Sequence, residues 1–297
     1  MPGECDQPVI TTQVIAFIQA MPYRRVMTEV LTHDEFGDVL RFWRRRRSHS
    51  QLDLASAAGV SQRHISFLET GRSRPSREMV MHLGLVLDMT LRDRNAMLIA
   101  AGFAPVFPER SIDDPALADI RRALDTMLEA HDPFPAYVVD RHWNLVMANQ
   151  AAGHLIAALP PAAHEHATNM AHLVLHPNGL RTVARNWDVI AASALLRLER
   201  EADESPADHE FTALLDLVRS YPGLPSDRAR SRVPSAHELL LPVEVTLDDQ
   251  ELSLFTTIAT LGSPADITLQ ELKLETLLPA DRVTEAALYA MRDSAAC

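Results

Sequence analysis

The twenty residues QLDLASAAGVSQRHISFLET, numbers 51–70, constrain this chain more than any other stretch. Leu52, Leu54, Ala55 and Ala58 recur at helical spacing behind Ser50, whose hydroxyl can accept from an orphan amide of the first turn. Gly59 then breaks the helix where a left-handed turn is needed. Ser61 can cap a second helix over 62–70, which Gly71 ends. Ala55 is small where two helices cross, Gly59 occupies the turn, and Ile65 is apolar where the second helix docks. With Val60 and Leu68 these residues form the core of a helix-turn-helix. Phe36, Leu40 and Trp43 predict a preceding helix over 34–47. Two more are predicted over 78–87 and 91–101, facing inward through Met79, Leu83 and Val86, then Leu91, Met97 and Leu98. The expectation is an all-α, five-helix domain over 34–104.

Charge separates this domain from the rest. The chain has 297 residues and a formal net charge of −12, yet 34–104 carries a net +3 and 105–297 a net −14. A basic module can meet a polyanion, and an acidic one is ill suited to lie on DNA. Arg44 to Arg47 form the densest basic cluster, and Lys273 is the sole lysine. Hydrophobic residues make up 47% and charged residues 23%, which excludes a mostly disordered chain. No apolar run approaches the roughly 18 residues that span a bilayer, so no membrane partner is expected. Cys5 and Cys297 build no disulfide framework, and a cytoplasmic location is the expectation. Residues 1–33 read as a poorly ordered N-terminal extension. They do not read as a signal peptide, because Glu4 and Asp6 precede the apolar run and Thr11, Thr12 and Gln13 interrupt it.

Residues 105–114 read as a linker, with Pro105, Pro108, Asp113 and Asp114. A helix over 115–130 leads into two short strands, 136–140 and 143–149, around a turn at Arg141 and His142. A short helix near Gln150 follows, then long helices over 180–200 and 208–220 and a loop over 224–236. Leu241, Val243, Val245 and Leu247 alternate as a strand, followed by strands over 251–260 and 266–277. Residues 115–297 are therefore expected to form a five-stranded antiparallel sheet with flanking helices, making the whole chain α+β.

The stretch GDVLRFWRRRRSHSQLDLASAAGVSQRHISFLETGRSRPS resembles the repressor-type (XRE) helix-turn-helix. The resemblance implies that the helix opening at Gln62 enters the major groove, with Ser61, Gln62, Arg63 and Phe67 facing the bases. The chemistry suits this, since Arg pairs bidentately with guanine, Gln with adenine, and an apolar ring meets a thymine methyl. Gln51 is implied to brace Gln62 and touch phosphate. Arg44 and Glu69 are implied to form a structural ion pair, and Arg72, Arg74 and Arg77 are expected on phosphates.

A second resemblance rests on HDPFPAYVVDRHWNLVMANQAA, LVLHPNGLRTVARNW, YPGLP and LSLFTTIATLGSPADITLQELKLETLLPAD. In this order they are similar to the MmyB-like ligand-binding domain. It implies a transcription regulator with a PAS-like pocket for a small, apolar, fatty-acid-like molecule. Such a ligand needs an apolar tunnel with one polar end. Trp143, Leu145, Met147, Leu254 and Phe255 on strands, with Trp187 and Ile190 on a helix, are the expected lining. Asn149, Tyr137 or Arg185 is placed to meet a carboxylate, although Arg185 falls on the polar face of its helix. The expected partners are a pseudo-palindromic double-stranded DNA operator, the small apolar ligand and a second copy of the chain. No other cofactor is expected.

His172 and His176 have the i,i+4 spacing of a zinc site, beside His164 and His166. Pro177 should stop that helix, and only Glu165 is near as an acidic partner, so a turn is favoured over a metal site. The sequence holds no G-x-S-x-G, G-x-G-x-x-G, P-loop or H-E-x-x-H, and no enzymatic activity is expected. Two alternatives remain for the acidic module. A filled core would favour a ligand-free protein-interaction domain, and converging histidines and carboxylates would favour an unfamiliar enzyme.

Overall fold

The computed structural model describes residues 36–205, 208–226, 242–247 and 249–295. The N-terminal extension, most of the 224–236 loop, Leu241 and both cysteines lie outside the described residues. The chain divides into two compact units. Of the described residues, 36–114 and 261–270 form a helical unit, and 115–260 and 271–295 form a sheet unit.

The helical unit begins with five helices: α1 (Phe36–Arg46), α2 (Gln51–Ala57), α3 (Gln62–Glu69), α4 (Arg77–Val86) and α5 (Leu91–Ala100). Both expected serine caps are present. The Ser50 hydroxyl accepts from Asp53 N at 3.1 Å while Asp53 accepts from Ser50 N at 2.8 Å, and Ser61 accepts from His64 N at 3.2 Å. Each such cap is worth about 1 kcal/mol. Gly59 has φ 65°, the left-handed conformation that lets α2 reverse into α3. Leu40, Trp43, Leu54, Ala55, Ile65, Leu68, Leu83, Met97 and Leu98 share one core. On α4 the buried face runs through Val80, Leu83 and Gly84, with Met79 and Val86 only half-buried, a one-residue rotation from the expected face.

Residues 105–114, read as a linker, group with this unit. The Asn95 side chain donates to Phe107 O and accepts from Val106 N, and Ile112 is buried. A second segment joins them. Arg110 pairs with Asp266 at 3.0 Å, Ile267 N donates to Pro108 O at 2.8 Å, and Leu91 N donates to the Gln270 side chain at 2.7 Å.

In the sheet unit, α6 (Ala118–Ala130) precedes β1 (Ala136–Val139) and β2 (Leu145–Ala148). The short helices α7 (Gln150–Ala157), α8 (Pro161–His164) and α9 (Met170–Leu175) follow, then the longer α10 (Trp187–Glu204) and α11 (His209–Arg219). Strands β3 (Val243–Leu247) and β4 (Gln250–Thr260) come next. After α12 (Ile267–Glu271), most of which belongs to the helical unit, come β5 (Lys273–Pro279) and α13 (Arg282–Ala295), the last described helix. The sheet is antiparallel throughout, in the order β2-β1-β5-β4-β3. The fold class is α+β, as expected.

Two boundaries differ from the sequence reading. The last strand begins at Lys273 and not near 266, because Asp266 accepts from Thr268 N and starts α12 instead. The helix expected from 180 begins only at Trp187. Before it, one 3-10 turn spans Leu180–Thr182, after which Val183 O accepts from Thr246 N and Arg185 N donates to Glu244 O along the edge of β3.

Candidate functional site

The outer face of α3 is built on a buried ion pair. Arg44 Nε meets Glu69 Oε1 at 2.5 Å, and the Glu69 side chain is 2% exposed. Burial alone would raise the Glu69 pKa, but hydrogen bonds from Arg44 and Gln51 outweigh it and hold the carboxyl below the ordinary glutamate range. Gln51 donates to Glu69 Oε2 at 2.9 Å, where bracing of Gln62 was expected. This pins the end of α3 to α1 and α2, and its N-terminal residues face outward. Ser61, Gln62 and Arg63 are exposed and Phe67 is half-buried. The Ser61 hydroxyl accepts the capping bond of α3, which leaves its proton free to donate.

The structure sorts the arginines that composition could only count. Arg44 serves Glu69, and Arg47 donates to Leu87 O and Asp88 O at the end of α4. Arg77, expected on phosphate, donates to Ala104 O at 3.1 Å and lies over the Phe103 ring. Among the described residues, Arg63, Arg72 and Arg74 have no carboxylate partner, and each leaves much of its side chain accessible. Arg45 and Arg46, from the densest basic cluster of the sequence, flank an open groove on α1 with Asp38, Arg41 and Phe42.

The expected ligand lining is only partly brought together. Tyr137, Trp143, Trp187 and Leu254 lie in the core of the sheet unit, with Leu145 packed against it. Met147 and Phe255 are not in that set. Strand neighbours point to opposite faces, so Phe255 cannot share the face of Leu254, and Met147 pairs with Val138 on the side away from Tyr137. A register shift between Val138 and Val139 explains why Leu145 and Met147 part company. Ile190 is half-buried and outside the core set. Asn149 is spent on structure. Its side-chain oxygen accepts from Ala136 N and Ala152 N, and its amide donates to Leu128 O and Phe134 O. No capacity remains for a carboxylate. Arg185 lies on the surface, paired with Glu251 at 2.6 Å and Glu244 at 3.5 Å.

The polar part of this core is a charge network that sequence reasoning missed. Arg197 reaches Glu275 at 2.5 Å and Glu201 at 3.0 Å, and Lys273 reaches Glu201 at 2.5 Å. The Trp143 indole donates to Glu201 at 2.8 Å beneath the Arg197 guanidinium, 4.3 Å from its ring centroid. Tyr137 donates to Glu275 at 3.0 Å. Burial and the Glu275 charge push the Tyr137 phenol well above its ordinary pKa. Burial would raise Glu201, but Lys273, Trp143 and Arg197 hold it low. Two cations thus face two anions, the balance that makes buried charge tolerable. Trp143 has φ 64°, a strained conformation for a bulky residue, fixed by a turn in which Asp140 accepts from His142 N and Asn144 N. The signals were present, as Arg197 and Glu201 are i,i+4 and Lys273 and Glu275 alternate, but such residues also describe solvated faces.

The clustered histidines pack against one another and against Tyr221. His176 ends α9 with its ring 3.7 Å from that of His166, and His172 Nδ1 lies 2.7 Å from the Tyr221 hydroxyl. Among the described residues no group of three or more His, Cys, Asp or Glu side chains is arranged to hold a metal ion. A recess bounded by Asp132, Gln150, His154, Leu288 and Met291 has a volume of about 20 Å³, room for one water molecule. Among the described residues no helix is long and apolar enough to cross a membrane.

An outward-facing helix on a pinned helical frame, together with an α+β unit whose core is part apolar and part charged, defines a helix-turn-helix protein with a second, α+β domain. Residues 35–97 match a helix-turn-helix domain. Residues 120–291 match the MmyB-like transcription regulator ligand binding domain, and the chain belongs to that family. Both matches are to domains of regulators. A search of curated proteins found no match.

Proposed function

We propose that this protein is a cytoplasmic, homodimeric transcription regulator that binds a pseudo-palindromic operator through α3 and senses a small apolar, fatty-acid-like molecule through its sheet unit. The observation that carries the DNA-binding half is the outward row Gln62, Arg63 and Phe67 on a helix anchored by Arg44 and Glu69. Base reading needs free donors on a rigid support, and these side chains combine the two. Two copies of α3 would occupy successive major grooves about one DNA turn apart.

The sensing half rests on a core of Trp187, Leu195, Leu198 and Leu254 next to Tyr137 and Arg197. Such a core offers an apolar chain its walls and a polar head its partners. The ligand acts by binding one dimer arrangement more tightly than another. A second reading, a ligand-free interaction module, takes the buried set Trp187, Leu195, Leu198 and Leu254 as ordinary filled core. Native mass spectrometry of protein purified from its host decides between them. A dimer carrying an apolar acid supports sensing, and a bare chain that gains no mass with added fatty acids supports the interaction module. Footprinting of an operator should give two protected patches one turn apart, and a single patch would contradict the dimeric mode.

A further inference from the structure

Arg63 and Phe67 stand four residues apart on α3 and so share a face. The Arg63 guanidinium carbon lies 5.0 Å from the centroid of the Phe67 ring. At the end of α3, Gly71 adopts φ 69°, and Ser73 N returns to Phe67 O at 3.2 Å. That turn brings the Arg72 guanidinium carbon to 5.9 Å from the same ring. Both distances fall within the roughly 6 Å range of cation–π attraction. Neither arginine has a carboxylate partner among the described residues, so both remain open to a ligand.

Contact with the ring spends none of the guanidinium N–H donors, which stay free for a base. Contact with the ring also removes beforehand part of the rotamer freedom that an exposed arginine would lose on a base. In the major groove, guanine offers O6 and N7 to such a fork, and thymine offers its C5 methyl to an apolar surface. A fork with a ring at its side therefore matches a guanine next to a thymine. Resting on the DNA-binding reading above, we infer that Arg63, Phe67 and Arg72 act together as one reader of a guanine–thymine step. Phe67 is the positioning hub and methyl contact. Arg72 belongs with the base-reading residues and not with the phosphate contacts expected from sequence.

The test uses full-length protein and an operator selected from a random duplex pool. The step's guanine is replaced by 7-deazaguanine, which lacks N7, or its thymine by deoxyuridine, which lacks the methyl. The first change should weaken binding at least about 5-fold and the second about 4-fold. The 7-deazaguanine penalty should vanish in Arg63→Ala. In Phe67→Leu the preference for guanine should fall although Arg63 is still present, and affinity for the operator should fall more than affinity for a shuffled duplex; equal weakening on both would contradict the positioning role. Arg72→Ala should lower affinity for the operator more than for the shuffled duplex. Equal weakening on both would return Arg72 to the phosphates and contradict its assignment. An operator without the step, or modified bases bound as tightly as natural ones, overturns the inference and leaves DNA binding intact. If no duplex is enriched, the DNA-binding reading itself fails.

Discussion

Arg44 and Glu69 meet at 2.5 Å inside the helical unit, and Glu69 also accepts from Gln51, so a single carboxylate ties α1, α2 and α3 together. Glu69→Ala would strand the Arg44 charge in a buried site. The expected loss is about 3–5 kcal/mol, because breaking one half of a buried pair leaves an uncompensated ion. Replacing both, Arg44→Met with Glu69→Leu, should recover most of that loss. Urea unfolding followed through Trp43 checks this, and a double variant as unstable as the single one would count against a buried, mutually compensating pair.

Asp208 carries the clearest pH dependence. It caps α11 through Phe211 N and pairs with Arg141 and His142 at 3.1 and 3.0 Å. Burial would raise its pKa, but the His142 hydrogen bond and the Arg141 charge win and hold it at about 2. A carboxyl depressed on folding stabilises the fold fully above its unfolded pKa, near 3.9, and that contribution fades as pH falls from about 4 toward 2. Asp208→Asn should lower the neutral-pH stability of the sheet unit by roughly 1–3 kcal/mol and flatten the acid limb. Thermal melts between pH 2 and pH 7 test it, and parallel curves for both proteins would rule out Asp208 as the titrating group.

Arg74 has no carboxylate partner among the described residues and does not stack on Phe67. It is the residue expected to contact phosphate without reading sequence. Arg74→Ala should weaken operator and shuffled duplex alike and reduce the slope of log K against log salt by about one. Titrations at several salt concentrations measure this, and a changed base preference would move Arg74 into the reading set.

Asp266 lies between β4 and β5 in sequence, yet its ion pair with Arg110 belongs to the helical unit. Asp266→Ala should cost about 1–3 kcal/mol there. Hydrogen exchange should accelerate in α5 and around residues 106–112, and β1 should keep its protection. Unchanged exchange in α5 would show that the pair adds no local stability.

Much of the helical unit was legible because its instructions are local. Ser50, Gly59 and Ser61 act within a few residues of themselves, and the apolar spacing of Leu54, Ile65 and Leu68 allows few packings. The Arg44–Glu69 pair came from resemblance and was found. The core of the sheet unit was harder to read. Leu254 and Phe255 look alike as apolar strand residues, but the pleat separates them. Arg197 and Glu201 read as a solvated helical face until β5 supplies Lys273 and Glu275 above them. Asn149 offered a polar tip to a ligand in sequence and spends it on four backbone groups in the fold. The last two misses turn on neighbours distant in sequence, which local spacing does not encode, whereas the pleat that separates Leu254 from Phe255 is local.

Sequence reading by the outward side chains of α3 is tested most directly by the ratio of affinities for a selected operator and a shuffled duplex, measured by fluorescence anisotropy at fixed salt. Wild-type protein should show a ratio of about 1,000 or more. The double variant Gln62→Ala with Arg63→Ala should bring it down at least about tenfold while the fold is kept. A ratio near one for the wild type, or one that the double variant leaves unchanged, would contradict the claim.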